Sequence, residues 1–159
     1  MGKETEIINS VLILSSITFI ISFIKGNKIK NLYITFTGII TSALNTLVEK
    51  LADELQIYSI YGEPKIFSTP LQLFFAWIFL TFIFIKIWEN IKIRAKIFRI
   101  IYIISAILIG WTMDFLGWKS GILKLGPKGN PAINAGVWIL LVPLSVIIWE
   151  KVFSKLKHK

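Results

Sequence analysis

The sequence predicts an all-α, polytopic membrane bundle: five transmembrane helices with a parallel internal repeat, in one membrane domain over residues 1–159. Three observations predict it. Of 159 residues 55% are hydrophobic and only 17% charged, against roughly 25% charged in soluble domains. The apolar residues gather into five runs, Ile8–Ile24, Leu32–Val48, Pro70–Ile85, Ile97–Met113 and Ala132–Trp149, each close to the roughly 17–25 residues that cross a hydrocarbon core as helix. The runs are continuous rather than alternating, which excludes the period-two pattern of membrane strands.

The first run follows "MGKETE", which is not a basic leader, and precedes "KGNKIK" rather than a small-residue cleavage site. It is expected to be a mature span, not a removed signal. The second run closes on Glu49. The third belongs to "LQLFFAWIFLTFIFIKIW", which has no polar face to show to water and so argues against a soluble bundle. Thr69 is its expected N-cap and Pro70 its first turn, where a missing N–H costs nothing. The fourth run closes on Asp114, and the fifth starts the same way as the third, with Asn130 as N-cap before Pro131.

Charge orients the bundle. Twelve of the eighteen Lys and Arg fall after the first, third and fifth spans: Lys25, Lys28, Lys30, Lys86, Lys92, Arg94, Lys96, Arg99 and the tail lysines 151, 155, 157 and 159. By the positive-inside rule that side is cytoplasmic. The expected protein is integral to the plasma membrane, amino terminus outside and carboxyl terminus cytoplasmic. The net charge of +9 is then accounted for by topology and anionic lipid, and no nucleic-acid partner is expected. With no cysteine and one histidine, His158 in the tail, thiolate, iron–sulfur, zinc and serine–histidine chemistry have no residues to build on. No metal or cofactor is expected.

The chain punctuates itself twice alike. "STPLQLFFAW" and "NPAINAGVW" each place a tryptophan seven residues after a proline, so that Pro70 and Trp77 recur as Pro131 and Trp138, 61 positions later. Upstream of each pair a carboxylate, Glu49 or Asp114, closes a span, and aromatics follow: Tyr58 and Tyr61, then Trp118. Helix-start and interface punctuation accounts for much of this. Two features go further. The tryptophans lie about 10 Å past their helix starts, deeper than an interfacial belt requires. The carboxylates follow apolar runs short enough to hold them at the hydrocarbon boundary, a costly placement. Asn45, Glu49 and Asp53 share a helix face, as do Trp111, Asp114 and Trp118, and Asn134 lies one turn into the fifth span. If the units pack side by side they form an outward-opening pocket of carboxylates, amides and aromatic walls, suited to proton donation and to stabilising a cation.

This layout resembles the integral-membrane carotenoid-biosynthesis proteins of the bisanhydrobacterioruberin hydratase type and, more distantly, the small membrane lycopene cyclases, over roughly Leu44–Trp149. The resemblance implies acid-initiated hydration, or cyclisation, of an isoprenoid double bond. It implies Glu49 and Asp114 as catalytic acid and base. Asn45, Tyr58, Tyr61, Trp77, Trp111, Trp118, Asn134 and Trp138 would line the isoprenoid or other lipid substrate. Pro70 is followed by Leu71, Gln72 and Leu73 where the cyclases carry paired glutamates, so hydration is favoured over cyclisation. The hydratases are longer, which implies half an enzyme or a homodimer. The alternative is a non-catalytic membrane protein, a transporter subunit or lipid-binding module.

Overall fold

The computed structural model describes residues 3–153; the tail residues Lys155, Lys157, His158 and Lys159 lie outside them. The described residues are all-α, with five helices among them: α1 Lys3–Ile24, α2 Lys28–Glu54, α3 Leu71–Ile91, α4 Lys96–Lys119 and α5 Pro131–Ile148. A π-helical turn, Trp149–Phe153, follows α5. Among the described residues four stretches, Thr5–Ile24, Leu71–Ile91, Lys96–Lys119 and Pro131–Val152, are long and apolar enough to cross a membrane.

The second expected span is the exception. Leu32–Val48 lies inside α2, whose 27 residues make it the longest helix, yet its composition is more polar than that of the other four. The reason is its inward face: Thr37, Thr41, Ser42, Asn45, Thr46 and Glu49 are buried. Small polar residues let helices approach closely and bond across the contact. The Ser42 hydroxyl donates to the Phe74 carbonyl of α3 at 2.8 Å, while Thr46 bonds back to Ser42 at 3.0 Å. α2 and α3 form the main pair, α1 lies on α3, and α5 packs on α4 and α2. α1 and α4 turn many large apolar side chains outward, among them Ile13, Leu14, Ile17, Ile104, Leu108 and Ile109.

Two apolar clusters lie at opposite ends. Ile34, Phe82, Ile85, Trp88, Val146 and Trp149 pack where α2 begins and α3 and α5 finish. Ile8, Ala52, Tyr58, Ile60, Ile122 and Leu123 pack under the two long loops. Those loops meet. The first supplies the strand β1 Tyr58–Ile60 and a hairpin of β2 Lys65–Ile66 with β3 Thr69–Pro70; the second supplies β4 Leu123–Leu125. β1 and β4 pair antiparallel, Tyr58 opposite Leu125 and Ile60 opposite Leu123. Gly126 extends the seam: its N–H donates to the Ile57 carbonyl at 2.8 Å, and a Cβ there would collide with the Gln56 backbone.

Candidate functional site

Glu49 ends the polar face of α2 and is 5% exposed. Asn45, one turn earlier, donates its Nδ2 to Oε1 at 2.6 Å, and the Thr69 hydroxyl donates to Oε2. This corrects the expected role of Thr69. α3 begins at Leu71 without a side-chain cap, because Thr69 lies in β3 opposite Ile66 and its hydroxyl turns to the carboxylate instead. Hydrogen bonds to a charged acceptor are roughly twice as strong as neutral ones. Asp53, a further turn along, is exposed and accepts from Ser68 at 3.0 Å. The expected Asn45–Glu49–Asp53 face is thus divided, its first two members inside and the third at the surface.

Asp114 lies near the end of α4, which continues to Lys119. The Trp138 indole Nε1 donates to its Oδ2 at 2.6 Å. Gly110, one turn before Asp114, makes room for this contact, since a Cβ on it would overlap the Trp138 ring. Asn130 caps α5 as expected, its Oδ1 accepting from the Ala132 N–H at 2.9 Å. Trp111 ties that start to α4 by donating to the Pro131 carbonyl at 3.2 Å. Trp111, Asp114, Trp118 and Asn134 border a cavity of about 10 Å³, room for about one water. Asn134 is 4% exposed, and its Oδ1 is buried without a hydrogen-bond partner.

The β1–β4 seam brings the two halves together. Glu49 on α2 and Asp114 on α4 belong to the helices that pack against β1 and β4. Both carboxylates act on Tyr58, whose hydroxyl burial first, then the Glu49 and Asp114 charges, push above the ordinary phenol range. Tyr61 departs from expectation: it is 51% exposed, with the Lys124 ammonium 5.8 Å from its ring centroid. Strand alternation turns Tyr58 and Ile60 inward and leaves the next residue outside.

Trp77 and Trp138 meet with ring centroids 4.7 Å apart. They wall a cleft of about 270 Å³ between α3, α4 and α5, further lined by Phe84, Tyr102 and Ile109. The Thr41 hydroxyl also lines it, buried without a partner. The single outward-opening pocket expected from the sequence is therefore two spaces. Asp114 borders the small polar one, Trp138 the large apolar one, and the indole N–H joins them. Thr69 and Gly110 were not expected in the site. Gly110 carried a signal, because a glycine four residues before a carboxylate shares its helix face and leaves a gap for an aromatic ring. Among the described residues no group of three or more His, Asp and Glu could hold a metal ion. No protein-family model, curated protein or solved structure matches the chain.

Proposed function

We propose that this chain is a membrane enzyme that takes the end of an isoprenoid chain into the cleft between α3, α4 and α5 and hydrates a double bond there, as the resemblance to carotenoid hydratases implies. The observation that carries the reading is the double placement of Trp138, whose ring walls the apolar cleft while its N–H bonds Asp114. A cleft of about 270 Å³ is slightly below the roughly 300–1,000 Å³ of small-molecule sites, a size for the end of a chain rather than for a whole polyene. In the proposed reaction the Trp138 indole, which separates the cleft from Asp114, shifts on substrate entry so that the Asp114 carboxylic acid reaches one carbon of the double bond and adds its proton to it. The carbocation left on the other carbon is held against the Trp77 and Trp138 faces. A water in the Asp114–Asn134 cavity adds through its oxygen and returns a proton to Asp114, so hydration consumes one water and regenerates the acid.

The same reading takes α2 as a fifth span with its polar face turned inward, and the two Pro/Trp units as a parallel repeat whose halves each supply one carboxylate. It places the amino terminus and both long loops outside the plasma membrane, with the carboxyl terminus cytoplasmic. A homodimer would supply the larger binding surface of the longer hydratases. One observation favours a second reading, a lipid-binding module without catalysis: the Trp138 indole stands at the junction of the cleft with Asp114, and the polar space beyond holds about one water. The test is purification followed by extraction of bound lipid and incubation of membranes with acyclic isoprenoids. Hydrated product supports the enzyme; a bound prenyl lipid that is never converted supports the binding module.

A further inference from the structure

At the end of the molecule where α3 stops and α4 starts, the basic residues are unequally matched. Lys30 and Lys92 both pair with Glu89, and Lys92 also reaches Glu150 at 3.2 Å. Trp149 donates its indole N–H to Glu89 at 2.7 Å and Trp88 donates to Glu150 at 2.9 Å. Lys86 bonds the Asn31 side-chain oxygen at 3.0 Å. The carboxylates at this end are thus engaged with other partners.

Lys96 and Arg99 stand apart from that network. They lie three residues apart on the first turns of α4, where i and i+3 share a face. With Trp88, Ile100, Ile103 and Ile104 they line an open recess of about 350 Å³. Among the described residues no carboxylate pairs with either cation. The Arg99 Nε is buried without an acceptor, although a guanidinium's planar fork is built to bind phosphate through two parallel hydrogen bonds. The recess therefore has two parts, a cationic rim and a floor of isoleucine and tryptophan.

We propose that this recess binds one anionic phospholipid, its phosphate on Arg99 and Lys96 and an acyl chain along Ile100, Ile103 and Ile104. A soluble phosphate would use the cations and leave the apolar floor wet. A zwitterionic lipid would fill the floor but bring its own cation to the rim. Only an anionic headgroup joined to a hydrocarbon chain satisfies both parts. The site lies beside α4, the helix that carries Gly110 and Asp114 at its other end, and it does not depend on any activity there.

The test is native mass spectrometry of the full chain in detergent, titrated separately with phosphatidylglycerol, phosphatidylcholine and glycerol 3-phosphate. Phosphatidylglycerol should bind most tightly. A juxtamembrane cation contributes about fivefold in affinity, so Lys96→Gln with Arg99→Gln should weaken phosphatidylglycerol about 25-fold and leave phosphatidylcholine unchanged. Arg94→Gln removes the same charge from the exposed α3–α4 turn and should have little effect. If the double variant does not fold, each single variant should show the fivefold step. Equal losses in Arg94→Gln, equal affinity for phosphatidylcholine, or glycerol 3-phosphate binding as tightly as the whole lipid would each overturn the proposal, the last by identifying a soluble-anion site.

Discussion

The Trp138 indole donates to the Asp114 carboxylate across 2.6 Å while its ring lies on the backbone of Gly110. One side chain thereby locks α5 to α4 beside the apolar cleft. Trp138→Phe keeps most of the ring and removes the donor. Hydrogen bonds to charged groups contribute about 1.5–3 kcal/mol, so the variant should lose stability in that range. Denaturant or thermal unfolding in detergent measures it, and parental stability would show that the bond contributes nothing.

Gly110→Ala tests the other half of the same contact. Overpacking a fitted interface costs typically about 1–3 kcal/mol, and here the added methyl meets an aromatic ring. The cost should largely vanish in Gly110→Ala combined with Trp138→Ala, since the overlap is then gone. Strict additivity of the two substitutions would mean that they do not share a contact.

Thr69→Val keeps the side-chain shape and removes the hydroxyl that bonds Glu49. A buried acceptor deprived of a donor costs about 1–3 kcal/mol. In a Glu49→Gln background the same change should cost less, because the Thr69 hydroxyl then faces a neutral amide rather than a carboxylate. A double-mutant cycle read by unfolding measures the coupling; zero coupling would place Thr69 in a purely local role.

The gross layout was legible because it follows from solvent: continuous apolar runs require helices, although α2 and α4 run five residues past Glu49 and Asp114 and α3 starts after Pro70 rather than with it. The spacing of Trp77 and Trp138 from their prolines was visible in the sequence, but the contact between the two rings depends on how α3 and α5 pack. Thr69 was misjudged because a Thr before a helix-starting Pro is an ordinary cap, and only the hairpin pairing of β2 with β3 turns its hydroxyl to Glu49. Tyr61 was misjudged because loop aromatics look alike until a strand decides which face each takes. The division of the pocket was hidden for a similar reason. It depends on Trp138 fitting against Gly110, a contact between residues 28 positions apart that no local pattern encodes.

The proposed orientation rests on twelve basic residues against six and is tested with single cysteines in the otherwise cysteine-free chain. Lys65→Cys in β2 and Arg94→Cys in the α3–α4 turn are both exposed positions. In intact cells an impermeant maleimide should label position 65 and reach position 94 only after permeabilisation. The reverse pattern would invert the topology, and labelling of both positions from one side would remove a span from between them.

Glu49→Gln and Asp114→Asn decide whether the paired carboxylates do chemistry or only hold the two halves together. Each amide keeps the shape of the side chain: in Asp114→Asn the oxygen can still accept from Trp138, and in Glu49→Gln the oxygen accepts from Asn45 while the new NH2 donates to the Thr69 hydroxyl, which accepts. Each removes the titratable proton. General acid–base catalysis contributes about 10²–10⁴-fold, which sets the expected loss of conversion for either variant in membranes supplied with an acyclic isoprenoid. If the two groups act as a unit, the double variant should lose little more than the worse single one. Glu63→Gln, exposed in the same loop as Thr69, is the control and should convert at the parental rate per folded protein. Full conversion by both amide variants would leave the carboxylates as clamps, and the hydration reading would give way to a module that binds lipid without reacting it.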